Sequence, residues 1–418
     1  MTVATQADRI AVPLADLDLY NLPWNTPEMA ADPYPFIETA RAKHPWLART
    51  DQGYVVYGYQ AIRDLMEYDN DDRLRPSFDG IIQILGAQGT PWGRFTSEQM
   101  LALVGEEHRK LRDTFAVKFT PRYANQIRPL MREIMGRLLD EWLPKGRFDF
   151  SEFASFYPVA VMTSMIGAPL DVIPGLRASL ETLGRAFGLV PGIEPQLQQA
   201  IVHVDEFCQQ LVAERRANPD HAGPEDLLDM LIDASSEGGI PERQLFDMLI
   251  FLFEAGYDTS KNVMTYMMYE MTRHPDIYAK CAQDIDYCRK ALEEFLRYVN
   301  PSHSFRFTDT EITYDGVVLP KDTMLFFALV QAGRDPSAFE NPGLFDPDRP
   351  VDPRHRHLAF GLGKHMCLGQ YIARAQIQEG MHLVAQRMKD PRIAGEVSFR
   401  PYPGIWGLES LPLEFTAA

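Results

Sequence analysis

The chain has 418 residues, 45% hydrophobic, 11% aromatic and 24% charged, which excludes disorder as its main state. Lys+Arg 41 against Asp+Glu 58 leave a formal charge of −17, which argues against a general nucleic-acid binder. Four cysteines (Cys208, Cys281, Cys288, Cys367) make no disulfide framework in a chain this long and fit a reducing cytoplasm.

The opening stretch MTVATQADRIAVPLADLDLY has no cationic start feeding an apolar block, so neither a secretory leader nor an anchor is expected. No stretch reaches the roughly 18 to 20 apolar residues of a membrane span. Without a repeat, a low-complexity tract or a linker, residues 1–418 are expected to form a single domain, or two lobes sharing a core. Tyr54–Tyr57 (YVVY) predicts a strand. The segment from about Phe78 to Val104 is apolar and aromatic, with Ile81, Ile82, Ile84, Leu85, Trp92 and Phe95. His108 and Arg112 share one helical face, within a basic cluster of Arg109, Lys110, Arg112, Lys118 and Arg122.

From about Thr120 to Tyr298 the pattern is helical. Ile127, Leu130, Met131, Ile134, Met135, Leu138 and Leu139 recur at three- and four-residue spacing, an amphipathic helix. A long helix starts around Pro241 and runs to about Arg273, stopping before His274-Pro275; at 1.5 Å per residue it spans roughly 50 Å. Cys281 and Cys288 lie on roughly one face, match no zinc spacing and read as structural. Glu294 and Arg297 can pair on one face. Strands are expected at Ile312–Tyr314 and Val317–Leu319, around Asp315-Gly316, and at Met324–Val330; Asp322 suits a left-handed turn position. His355-x-His357 reads as loop. The fold class is mainly α, a helical body with small sheets at its edge.

Chemistry concentrates in Phe360-Gly361-Leu362-Gly363-Lys364-His365-Met366-Cys367-Leu368-Gly369. A cysteine ends a glycine-rich loop and precedes a helix marked by Ala373, Ile377, Met381, Val384 and Met388. A helix N-terminus lowers a thiol's pKa, so a thiolate on a tight backbone platform is expected; a buried, inert cysteine is the plainer reading. In the long helix, Ala255-Gly256-Tyr257-Asp258-Thr259-Ser260 carries a glycine that costs about 1 kcal/mol against alanine. Close packing, or a threonine bonded back to a carbonyl, explains it as readily as chemistry does.

The ten-residue string resembles the haem-binding signature of the cytochrome P450 family. That resemblance implies a triangular-prism fold, with a large helical lobe and a small β-containing lobe, and haem b between the long helix and the cysteine loop. It makes Cys367 the axial thiolate, which favours O–O cleavage, with Phe360, Gly361 and Gly369 shaping the loop. Ala255 and Gly256 would leave room for O₂, while Asp258 and Thr259 deliver protons. Glu294, Arg297 and Arg349, the last within Phe345-Asp346-Pro347-Asp348-Arg349, resemble the family's structural triad. His108, Arg112, Arg306 and His365 would hold the propionates. Leu252, Ser302, His303, Ser304, Ile405, Trp406 and the 78–104 segment would wall a pocket for a hydrophobic small molecule. The implied function is cytoplasmic monooxygenation with O₂ and electrons from NAD(P)H through a ferredoxin reductase and a ferredoxin, with neither nucleic acid nor membrane as partner. A peroxide-driven peroxygenase and a non-catalytic haem protein are the alternatives.

Overall fold

The computed structural model describes residues 11–218 and 225–417; the first ten residues, part of the stretch expected to be neither leader nor anchor, lie outside them. The central element is the helix Glu242–Arg273, 32 residues long. Pro241 is its N-cap, with φ −63° and ψ 150°, so the missing N–H of proline costs nothing and the helix starts one residue later. It ends where His274, forced extended by Pro275, takes φ −129°. Helices Phe150–Ile166, Ile173–Gly184 and Glu194–Ala217 pack on one side of it and Gln370–Arg387 on another. It is therefore apolar over most of its circumference.

The amphipathic stretch folds as Arg128–Trp142, with Met131, Ile134, Met135 and Leu139 buried and Ile127 as its cap. Ile377, Met381 and Val384 are buried in Gln370–Arg387, but Met388 already opens a strand, Met388–Ile393. Cys281 and Cys288 are both buried, as their structural reading requires.

The small lobe is a five-stranded sheet in the order Leu47–Thr50, Gly53–Val56, Met324–Phe327, Ser304–Thr308, Leu74–Arg75. It has its own core, including Leu47, Val56, Ile62, Leu65, Leu325 and Phe327. The strand expected at Tyr54–Tyr57 lies one residue earlier. The strand expected over Met324–Val330 stops at Phe327, and Leu329–Ala332 is a helical turn. Every residue of that run is buried, and an apolar run without alternation cannot separate strand from buried helix. The hairpin Ile312–Tyr314/Val317–Leu319 turns on Asp315 (φ 45°) and Gly316 (φ 78°), the pair of left-handed residues a two-residue hairpin loop needs. Among the described residues no helix is long and apolar enough to cross a membrane.

Candidate active site

The loop before Gln370–Arg387 is closed by the Cys367 amide, which donates to the Phe360 carbonyl at 2.8 Å. Gly361 and Gly363 take φ 68° and 73°, conformations that L side chains rarely adopt. A Cβ on Gly363 would also sit 3.1 Å from the Met66 carbonyl. Cys367 faces a cavity of about 310 Å³. The helix begins at Gln370 rather than directly after the cysteine, and the expected lowering of the thiol pKa is not found. Burial pushes the thiol up, while the amides of Gly369 and Gln370 and the guanidiniums of Arg112 and Arg374 pull against it. Three residues from the first helical turn, the dipole loses to desolvation; a metal cation bound to the sulfur would remove the proton outright.

Ala255, Gly256, Thr259 and Ser260 of the long helix line the same cavity. A Cβ on Gly256 would lie 2.6 Å from the Met162 methyl, so Met162 packs closely over the glycine and would have to swing aside for a larger residue. The Thr259 hydroxyl donates back to the Ala255 carbonyl at 3.1 Å, and Ser260 accepts from Gln376 Nε2 at 2.6 Å.

Asp258 does not join Thr259 at the cavity. Successive helical residues are about 100° apart, and Asp258 points to the face covered by Ile173–Gly184. There Arg400 Nη1 donates to Oδ1 at 2.7 Å, and Asn262 Nδ2 donates to the same oxygen at 3.1 Å. Asp258 and Arg400 are 1% and 3% exposed. A guanidinium buried that deeply needs a counter-ion, and the acid of the motif supplies it.

One edge of the cavity is cationic. His108 and Arg112 of helix Gly105–Phe115 approach the cysteine loop; Arg112 Nη2 donates to the Met366 carbonyl at 2.6 Å, and His108 stacks on His365 with centroids 4.2 Å apart. Burial, the charge of His365 and then that of Arg112 lower the His108 pKa to about 4, so it is neutral near pH 7. Arg306 spends Nη1 on Ser304 Oγ and the Phe305 carbonyl. His365 is engaged on both ring nitrogens, Nδ1 with Asp69 at 2.8 Å and Nε2 with the Leu103 carbonyl at 2.9 Å. His365 itself lines the cavity. Asp69, which no spacing in the sequence singles out, also faces Arg306 at 3.5 Å. His108 Nε2 and Arg306 Nε remain buried with no hydrogen-bond partner.

Behind the loop, Glu294 accepts from Arg297 Nη2 at 2.7 Å and Nε at 2.9 Å, and from Arg349 Nε at 3.3 Å. Of the expected pocket wall, Leu252, Ser302, His303 and Ser304 line the cavity. Ile405 and Trp406 do not: Ile405 bridges to Ser302, and the buried Trp406 donates to the Ala30 carbonyl at 2.8 Å. Within the 78–104 segment only Met100 and Leu101 reach the cavity; Ile81, Ile82, Leu85, Trp92 and Phe95 are core, and Ile84 is exposed.

The family description "Cytochrome P450" matches residues 186–389. Over its whole length the chain is 30% identical to luteothin monooxygenase of Streptomyces thioluteus, covering 99% of that protein. The chain belongs to the cytochrome P450 family. Cytochrome P450 monooxygenase PikC of Streptomyces venezuelae is also 30% identical, over 93% of this chain and 92% of that protein. Among solved structures, P450BioI in complex with hexadec-9Z-enoic acid ligated acyl carrier protein superposes with TM-score 0.83 at 27% identity, covering 93% of this chain and 100% of that one. Epothilone D-bound P450epoK shares the fold with TM-score 0.85 at 23% identity, covering 96% and 100%. This P450 is thus a monooxygenase, an oxidoreductase that incorporates oxygen from O₂, and membership implies a haem-thiolate cofactor. Its residues fit that group: a thiol faces a helix lined by small residues, and Arg112, Arg306 and His365 line the same cavity, Arg306 Nε being a buried donor without a partner.

Proposed function

We propose that residues 1–418 form one catalytic domain that hydroxylates, epoxidises or dealkylates a hydrophobic small molecule. Electrons would come from NAD(P)H through a separate reductase and ferredoxin, in the cytoplasm. The observation that carries this reading is the meeting of Cys367 and Thr259 in one largely apolar cavity that Arg112, Arg306 and His365 also line, with Arg306 Nε buried and without a partner. Haem b would be held by Cys367 Sγ, with its propionates at His108, Arg112 and Arg306. When bound it supplies the electron transfer and O₂ activation that no side chain can.

The rest falls to the chain. Thr259 Oγ holds the proton nearest the cavity, parked on the Ala255 carbonyl, and releases it by rotating about χ1. For Asp258 to relay a proton from solvent water to that hydroxyl, its carboxylate must leave Arg400 and first take up that proton, so the ion pair gates proton delivery. Leu252, Phe251 and Met162 exclude water from the far wall. Burial lowers the His303 pKa to about 4, so its ring is neutral, with Nδ1 3.0 Å from the Gly404 carbonyl. Ser302, His303 and Ser304 form the polar strip that would orient a substrate carrying one hydrogen-bonding group.

Turnover with ¹⁸O₂ and a ferredoxin system should place one labelled atom in the product. Thr259→Ala should keep consuming NAD(P)H while diverting most of it to free peroxide. Product formed only from added peroxide and free of label from ¹⁸O₂, or unchanged coupling in the variant, would refute the reading.

A further inference from the structure

Asp69 lies in the 3₁₀ turn Tyr68–Asp71, far from the cysteine motif in sequence, and is 3% exposed. Its Oδ2 accepts from His365 Nδ1 at 2.8 Å and faces Arg306 Nη2 at 3.5 Å. The other His365 nitrogen lies 2.9 Å from the Leu103 carbonyl. The ring is thereby clamped between a carboxylate and a carbonyl, both of them acceptors. Leu103 immediately precedes the helix that carries His108 and Arg112, and His108 stacks on His365. One carboxylate therefore ties together the turn, the cysteine loop, strand Ser304–Thr308 and the entry to helix Gly105–Phe115.

We propose that Asp69 is a positioning residue: through His365 and Arg306 it aims the cationic edge so that His108 Nε2 and Arg306 Nε stay free for two carboxylates. This rests on the haem reading above. Asp69 occupies the Nη2 side of Arg306 while Ser304 and Phe305 occupy Nη1, which leaves Nε as the unspent donor. Arg306 and Arg112 both line the cavity, and Asp69 faces Arg306 at 3.5 Å. An asparagine keeps the shape and one acceptor, but it turns an amide N–H₂ or a neutral oxygen toward Arg306 and His365 where the carboxylate offered a charged acceptor.

The test uses haem-loaded protein that first shows the thiolate-type carbon monoxide spectrum; absence of that spectrum indicts the haem reading and leaves Asp69 out of account. In such protein, Asp69→Asn should release haem to an excess of apo-globin roughly tenfold faster, as partners of ligands commonly do when altered. It should also shift the propionate-bending bands in resonance Raman spectra, which a merely structural weakening would leave in place. Asp72→Asn, on the same turn but bonded to Lys364 at the surface at 3.0 Å, should match the parent in both. His365→Gln should shift the same bands, and the double variant should add nothing to either single one. If Asp69→Asn does not fold, His365→Gln carries the test alone. Parental haem loss and bands in the folded Asp69→Asn or, failing that, in His365→Gln would overturn the proposal. So would additive effects in the pair, or an Asp72→Asn effect of the same size.

Discussion

Two buried charge clusters flank the cysteine loop, and they differ in how completely they are satisfied. Around Glu294, Arg297 spends its guanidinium on the carboxylate and on the carbonyls of Gly333, Pro342 and Leu344, and the Asp346 amide adds a bond to Glu294 at 3.0 Å. Neither Glu294 nor Arg297 is left with an unpaired buried atom. Around Asp69 the carboxylate is shared, but His108 Nε2 and Arg306 Nε are left without partners. A buried polar atom left alone costs about 1–3 kcal/mol. The closed cluster reads as folding machinery and the open one as a site waiting for anions.

Breaking the closed cluster should have the largest effect. Arg297→Ala leaves three carbonyls without that donor and Glu294 with only Arg349 and the Asp346 amide, so unfolding in urea should show a loss of about 3 kcal/mol; a loss under 1 kcal/mol would erase the contrast. Next comes a buried acid belonging to neither cluster. Glu254 is 8% exposed on the long helix, and burial, then the neighbouring Asp258 charge, raises its pKa from 4.5 to about 8. The folded state thus holds a proton that the unfolded chain releases above about pH 4.5, so stability falls as pH rises from there through 8. Glu254→Gln should remove that slope and gain on the order of 3 kcal/mol over the parent at pH 9. Parallel pH–stability curves would contradict it. The smallest effect belongs to the surface. Arg109 is already paired with Glu106 and Asp113 of its own helix, so reversing Arg109 and Lys110 to Glu should slow reduction by an acidic ferredoxin only several-fold at low salt. The difference should vanish at high salt, and equal rates at low salt would remove this helix from the docking surface.

The parts legible in the sequence are those set by local spacing. The long helix, bounded by Pro241 and Pro275, the glycine-rich cysteine loop and the Glu294/Arg297 pair are each written in contiguous sequence. What escaped was set by contacts across the fold. Asp69 meets His365 and Asp258 meets Arg400 over separations of 296 and 142 residues, and nothing local marks either partner. The motif names Asp258 and Thr259 as neighbours, but helical geometry sends them to different faces. The resemblance also misplaced most of the aromatic 78–104 segment: Trp92 and Phe95 fill the core instead of the cavity, because apolar character does not say which apolar surface a residue meets.

The account stands on sulfur from Cys367 bound to haem iron. Freshly purified protein, reduced with dithionite and exposed to carbon monoxide, should show the far-red-displaced Soret band of a thiolate-ligated haem, and Cys367→His should replace it with the shorter-wavelength band of a nitrogen ligand. A parent spectrum that already matches the histidine variant, in undenatured samples, would contradict it.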